Sequence, residues 1–218
     1  MTLVKICGIT NLEDALGAVE ADADLLGFNF YRRSPRYIEP GAARLIIDQL
    51  PESVVSVGVF VNEALEEIQR VALASGVSVL QLHGDESAEY CRTLRANGRT
   101  LIKVFSTRTD FSPEVINEFD VPLIMLDAAT SGARGGTGMV SDWAMARRTR
   151  EGFPAMILAG GLSADNVAAA IEQVKPFGVD ACSALEQAPG RKDQIKVQEF
   201  VAAVRAASPT ELTHWEHD

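Results

Sequence analysis

The sequence is poor in the features that mark secreted, membrane-spanning or nucleic-acid-binding chains. Its cysteines, Cys7, Cys91 and Cys182, are odd in number, far apart and free of C-x-x-C spacing, which argues against both a disulfide framework and a structural zinc site. No run approaches the ~18 uninterrupted apolar residues that a membrane span needs. Met1-Thr2-Leu3-Val4-Lys5 lacks the cationic start and long apolar core of a secretory leader. Clustered lysine and arginine are missing as well. With Lys+Arg at 20 against Asp+Glu at 30, the formal charge is −10, and without a basic block the chain has no means of displacing counterions along a nucleic-acid backbone. The expectation is a cytoplasmic protein with no membrane and no nucleic-acid partner, in which any anionic ligand is held locally. The acidic balance otherwise reports a well-solvated surface.

Linkers are also absent. No run of proline, glycine or serine divides the 218 residues, a length within the roughly 200–250 over which α/β barrels form one domain. Apolar residues at 47% and charged residues at 23% allow a sizeable core and give no sign of disorder.

What is present is a repeating alternation. Short apolar runs rich in β-branched residues are each followed by turn residues and a longer stretch of helical period, the pattern of parallel βα units. Eight such runs occur: Leu3–Cys7, Leu25–Phe28, Val54–Phe60, Val77–Gln81, Leu101–Phe105, Leu123–Asp127, Ala155–Leu158 and Val179–Cys182. Most are continuously apolar, as expected of a parallel sheet covered on both faces. Amphipathic stretches predict helices over Leu12–Ala21, Ala42–Gln49, Ala64–Ala74, Ser87–Ala96, Ala164–Val174 and Gln194–Ala206, with Asn11, Asn62 and Ser163 placed to cap three of them. Ser112–Phe119 is too short for a full helix, and Ser141–Arg150 has only partial helical character. Polar or reactive residues follow nearly every strand: Cys7, Asn29, Asn62, His83, Ser106, Asp127, Gly160 and Ser183. An open sheet gathers its ligand at one switch point, whereas a barrel draws its site from many strand ends. The predicted fold is therefore α/β, a single (β/α)8 TIM barrel.

Several of these residues could carry chemistry. Lys5-Ile6-Cys7-Gly8 ends the first strand. A thiol with an ordinary pKa of about 8.5 is only about 3% ionised at pH 7, so a useful base needs a nearby cation; Lys5 lies two residues away on the same strand face. The plainer role for Cys7 is a small buried hydrophobe. Asp127 ends Pro122-Leu123-Ile124-Met125-Leu126, where desolvation disfavours its charge and suits a general acid; a helix N-cap is the competing role. After it come Gly132, Gly135, Gly136 and Gly138, whose amides could approach an anion or cover the site.

Gly160-Gly161-Leu162-Ser163 follows the seventh strand and Ser183-Ala184-Leu185 the eighth, the positions at which barrels often bind phosphate through backbone N–H groups. Arg36, in Ser34-Pro35-Arg36-Tyr37, could grip a carboxylate with two hydrogen bonds, while Arg32 and Arg33 read as solvated. His83, in Gln81-Leu82-His83-Gly84, is a wall residue, a proton carrier or simply structural.

Taken together, Lys5-Ile6-Cys7-Gly8-Ile9-Thr10, Gly27-Phe28-Asn29-Phe30, Ser34-Pro35-Arg36, Val57-Gly58-Val59-Phe60-Val61-Asn62, Gln81-Leu82-His83-Gly84, Gly135-Gly136-Thr137-Gly138, Leu158-Ala159-Gly160-Gly161-Leu162 and Pro189-Gly190-Arg191-Lys192-Asp193 resemble the phosphoribosylanthranilate isomerases of tryptophan biosynthesis. The resemblance implies an Amadori rearrangement of N-(5-phosphoribosyl)anthranilate without cofactor or metal, by a monomer or homodimer. It implies that Asp127 protonates the ring oxygen, that Cys7 removes the C2′ proton, and that Arg36 holds the anthranilate carboxylate. Amides around Gly136, Gly160, Gly161 and Ser183 would hold the phosphate, with His83 at the substrate's wall. Cys182-Ser183-Ala184 departs from the family's small residue, serine and glycine. The barrel would occupy residues 1–208 and a loose tail 209–218.

Two rivals stand beside this reading. A histidine-pathway isomerase performs the same chemistry with aspartates on strands one and five, whereas this chain has Cys7 on the first and no aspartate ending the fifth. A catalytically silent barrel would leave a thiol, a carboxylate, an arginine and a phosphate loop at one mouth unexplained.

Overall fold

A computed structural model describes residues 1–107, 111–127 and 143–208. In chain order the barrel strands are β1 (Leu3–Cys7), β2 (Leu25–Asn29), β3 (Val55–Phe60), β4 (Val79–Leu82), β5 (Thr100–Ser106), β6 (Leu123–Asp127), β7 (Met156–Ala159) and β8 (Gly178–Ala181). Each strand pairs in parallel with the next, and β1 closes the ring on β8 in the register Leu3↔Gly178 through Ile6↔Ala181. Among the described residues, seven helices cover the outside: α1 (Leu12–Glu20), α2 (Pro40–Ile47), α3 (Leu65–Ser75), α4 (Ala88–Ala96), α5 (Trp143–Gly152), α6 (Val167–Val174) and α7 (Gln194–Ala207). The (β/α)8 barrel expected from the sequence is the fold observed.

Strand alternation sorts the core into two layers. Leu25, Val57, Val79, Ile102, Val104, Leu123, Met125, Ile157 and Ala159 fill the barrel interior. Their neighbours Val4, Ile6, Leu26, Phe28, Leu80, Ile124, Leu126, Leu158 and Val179 point outward and pack under the helices. This burial on both faces is why the strands read as continuous apolar runs. Helix α7 shows the matching helical logic: Val197, Phe200, Val201 and Val204 are buried at i, i+3, i+4 and i+7, and the Asp193 side chain caps it by accepting from the Ile195 and Lys196 amides.

Between β5 and β6, Pro113–Glu118 forms only a 3-10 turn, in keeping with its expected shortness; Pro122 disfavours helical backbone at the residue before it. After β8 the chain makes a feature that apolar periodicity did not anticipate. A 3-10 turn at Ser183–Leu185 leads into a two-stranded antiparallel ribbon of β9 (Glu186–Ala188) and β10 (Arg191–Lys192), with Lys192 opposite Glu186.

Two of the expected caps are corrected. Asn11 does cap α1, accepting from the Asp14 amide at 2.9 Å. Asn62 instead adopts a left-handed backbone, φ +50°, and accepts from the Asp85 amide at 2.7 Å, so it ties the β3 loop to the β4 loop while α3 starts later from Ala64. Asparagine serves here because it tolerates positive φ and its short amide reaches local backbone. Ser163 does not cap α6 with its side chain. Its amide donates to Asn166 Oδ1 at 2.9 Å and its carbonyl accepts from the Val167 amide, a turn that delays the helix to Val167.

Candidate active site

At the C-terminal end of the barrel, Cys7, Arg36, His83, Asp127, Gly160, Gly161 and Ser183 line one cavity of ≈ 310 Å³, together with Gln81, Asp180 and Cys182. The alternation that fills the interior with apolar side chains also aims Lys5, Cys7, Gln81 and Asp127 inward, whereas Lys103, out of phase with Ile102 and Val104, faces the helix layer. Of the site residues read from the sequence, Gly136 and the neighbouring Gly132, Gly135 and Gly138 lie outside the described residues, as does the tail 209–218.

Cys7 sits in a buried ionic setting. Lys5, fully buried, donates to Asp180 Oδ1 at 2.7 Å across the β1–β8 seam. Burial alone would lower the lysine pKa, but the Asp180 and Cys7 charges override it and raise the value above the ordinary range. Gly27 on β2 makes room for this: a Cβ there would lie 2.8 Å from Cys7 Sγ and 3.0 Å from Lys5 Nζ. A hydrogen bond from the Cys182 thiol, with the cations Lys5 and Lys192, outweighs desolvation and Asp180 and brings Cys7 from an ordinary 9.0 down to about 6. Cys182 moves the other way, because Cys7 holds its proton and burial opposes its charge.

Arg36 is placed by the turn after β2. Its amide donates to Ser34 Oγ at 3.1 Å, and its guanidinium forms a two-point pair with Glu186, Nε to Oε1 at 2.8 Å and Nη2 to Oε2 at 2.6 Å. The Glu186 hydrogen bonds hold it protonated, above the ordinary arginine value. Arg32 and Arg33 are exposed, in accord with their reading as solvated charges.

On the opposite wall, Asp127 ends β6, which two strands, β7 and β8, separate from β1 on the shorter arc. His83 Nε2 lies 3.8 Å from Asp127 Oδ2, and His83 Nδ1 lies 3.3 Å from Gln81 Nε2. The His83 loop is pinned from below by a buried pair: Lys103 Nζ donates to Glu86 Oε2 at 2.8 Å and to the Gly84 carbonyl at 2.7 Å, while Glu86 Oε1 accepts from the Asn62 amide at 2.8 Å.

The third wall is backbone. Gly160 and Gly161 both take positive φ, +102° and +69°, a conformation open to glycine at little cost. Ser183 and Ala184 face them from the 3-10 turn after β8. Ala184 is not among the positive-φ residues, so the departure from glycine at this position brings no backbone strain.

Sequence reading passed over Asp180, Cys182, Glu186, Lys192, Glu86 and Lys103. A signal existed for some of them: Lys103 interrupts Leu101-Ile102-Lys103-Val104-Phe105 and Asp180 interrupts Gly178-Val179-Asp180-Ala181, and a charge inside a strand buried on both faces needs a partner. Among the described residues, no three of His, Cys, Asp or Glu are gathered to hold a metal ion, and no helix is long and apolar enough to cross a membrane.

Comparison with known proteins agrees with this architecture. Residues 4–203 match the family model of N-(5′-phosphoribosyl)anthranilate (PRA) isomerase. A curated N-(5′-phosphoribosyl)anthranilate isomerase from Syntrophus aciditrophicus (strain SB) is 47% identical over 205 residues, 94% of this chain and 88% of its own. The crystal structure of phosphoribosyl anthranilate isomerase from Thermotoga maritima superposes with a TM-score of 0.87 at 43% identity, over 94% of this chain and 100% of its own. A structure of phosphoribosyl anthranilate isomerase in complex with reduced 1-(o-carboxyphenylamino)-1-deoxyribulose 5-phosphate gives a TM-score of 0.83 at 41% identity, with 94% and 100% covered. By sequence and fold, the chain belongs to the N-(5′-phosphoribosyl)anthranilate isomerase family.

Proposed function

We propose that Asp127 and Cys7, as general acid and general base, carry out the isomerisation that family membership assigns to this chain in tryptophan biosynthesis. Asp127 protonates the furanose ring oxygen of N-(5-phosphoribosyl)anthranilate, and the C1′–O bond breaks as the anilinic nitrogen supplies its electron pair to form a Schiff base. The Cys7 thiolate then removes the C2′ proton. The C–H electrons form the C1′–C2′ double bond, the Schiff-base electrons return to nitrogen, and the resulting enol tautomerises to 1-(2-carboxyphenylamino)-1-deoxyribulose 5-phosphate.

The observation that carries this reading is the Cys7 thiol held toward its anionic form across one cavity from Asp127. A base must be deprotonated before it can act, and a thiolate near neutral pH meets that need. Arg36 is suited to the substrate carboxylate, whose planar geometry matches a guanidinium. Backbone at Gly160, Gly161 and Ser183 suits the phosphate, because amides bind an oxyanion without a basic patch; Gly136 joins them in this proposal. His83, beside Asp127, lines the path of the substrate. The expected species is a cytoplasmic monomer or homodimer, with the barrel over 1–208 and a tail beyond.

Cys7→Ser and Asp127→Asn each are expected to lower kcat by about 10²–10⁴-fold, with binding of the reduced product analogue retained. Near-wild-type turnover in either variant overturns the role given to that residue.

A further inference from the structure

The pair between Arg36 and Glu186 uses one edge of the guanidinium and leaves the other. Arginine presents five N–H groups in a rigid plane. Glu186 takes Nε–H and one Nη2–H, at 2.8 and 2.6 Å. Three N–H groups remain, and two of them, one Nη1–H and the second Nη2–H, run parallel along the far edge, spaced to meet both oxygens of another carboxylate.

Glu186 is built in rather than draped on the surface. Its side chain is 4% exposed. Besides Arg36, Oε1 accepts from the Gly190 amide at 3.3 Å and from Lys192 Nζ at 3.1 Å. Lys192 stands opposite Glu186 in the β9–β10 ribbon, its side chain is fully buried, and its amide is anchored on Asp14 of α1 at 2.8 Å. The ribbon therefore delivers one carboxylate and one ammonium to Arg36 as a fixed unit.

The charges of that unit matter. A lone Glu186 would cancel Arg36 and leave nothing to attract an anion. Lys192 offsets Glu186, so the three groups together keep one positive charge, carried toward the cavity by Arg36.

We propose that Glu186 is a positioning residue for substrate specificity: it fixes the plane of the Arg36 guanidinium so that the free edge presents two parallel N–H groups to the carboxylate of the substrate's aromatic ring. The proposal rests on the reading of Arg36 as the carboxylate ligand and adds the element that orients it. A flexible arginine would also attract a carboxylate, but less selectively, since rotamer freedom must be lost on binding. A guanidinium held on one edge is already oriented, and a ligand lacking the ring carboxylate gains nothing from it.

The test compares two substrates, N-(5-phosphoribosyl)anthranilate and N-(5-phosphoribosyl)aniline, which lacks the carboxylate. In Glu186→Gln the side-chain amide NH₂ confronts one guanidinium N–H and the plane is released. KM for the anthranilate substrate is expected to rise about tenfold with kcat kept within about threefold, and KM for the aniline substrate to change by less than about twofold, in line with the loss of one oriented charge-assisted hydrogen bond. An equal rise in KM for both substrates, or no rise, overturns the proposal, since a merely structural role would not separate them.

Arg36→Ala tests the underlying reading separately. If it leaves the discrimination between the two substrates intact, Arg36 is not the carboxylate ligand. If Arg36→Ala abolishes the discrimination and Glu186→Gln preserves it, only the positioning role falls. Should Glu186→Gln fail to fold because Lys192 is left uncompensated, Glu186→Gln/Lys192→Gln removes the buried mismatch and is read by the same two KM values.

Discussion

Lys5 and Asp180 face each other across the seam where the first and last barrel strands meet, with Lys5 Nζ 2.7 Å from Asp180 Oδ1. They come from positions 175 residues apart in the chain. Their pairing closes the barrel and places a buried ammonium under the Cys7 thiol, so one contact serves both fold and site. The lysine cannot shed its proton into this setting, because Asp180 and Cys7 both favour its charge.

Replacing Lys5 by methionine keeps much of its volume and removes the charge. Asp180 is then left without its partner, and breaking a buried pair in this way costs about 3–5 kcal/mol of stability. Cys7 loses one of the cations that favour its thiolate. Urea unfolding reports the first effect, and the pH dependence of iodoacetamide alkylation at Cys7 reports the second, with its midpoint expected to move upward. An alkylation profile identical to wild type would show that Lys5 is only structural.

The pH dependence of the protein itself follows from the same thiol. Cys7 ionises at about 6 in the fold against an ordinary 9.0. A depressed acid stabilises the fold in its ionised form, so its contribution is complete above the ordinary value and is lost as the pH falls toward the folded one. Between those limits wild-type stability is expected to rise more steeply with pH than that of Cys7→Ala, as read from urea midpoints. The acid limb of kcat/KM is expected near the folded value. Parallel stability profiles for the two proteins, or an acid limb near 9, contradict a thiolate resting state.

Lys103→Met probes the loop that carries His83. The substitution leaves Glu86 buried with two backbone amides but no cation, again a loss of about 3–5 kcal/mol. Because Lys103 also holds the Gly84 carbonyl, the loop from His83 to Glu86 is expected to gain hydrogen-exchange rates beyond those of the barrel strands. Uniform destabilisation, with no excess exchange in that loop, would mean that the pair supports the barrel and not the loop.

Much of this architecture was legible because its signals are local. Strand and helix positions follow from apolar runs and amphipathic stretches that a few residues define, and the observed strand ends depart from the expected ones by no more than two residues. Cys7, Arg36, His83, Asp127, Gly160, Gly161 and Ser183 were found because each immediately follows a strand or sits in its loop. Asp180, Glu186 and Lys192 escaped notice because their meaning lies in partners far along the chain: Arg36 and Glu186 are 150 residues apart. The caps at Asn62 and Ser163 misled for a related reason. A side chain that caps a helix in isolation can instead be drawn to a neighbouring loop or become a turn's backbone partner, and sequence spacing does not separate these outcomes.

Gly161 offers the cleanest test of the phosphate wall. Its φ is +69° and a Cβ built there meets nothing within 4 Å, so Gly161→Ala introduces backbone strain without a clash. The left-handed conformation costs an alanine about 1–2 kcal/mol. If substrate phosphate is bound by amides that this conformation directs into the cavity, relaxation of the loop will turn them away. KM for the phosphorylated substrate is then expected to rise, and the affinity for inorganic phosphate to fall in parallel, while kcat at saturation is retained, because the acid and base stand on β6 and β1. A variant that loses the expected stability but keeps wild-type KM and phosphate affinity would show that Gly161 shapes a turn and does not shape the phosphate site.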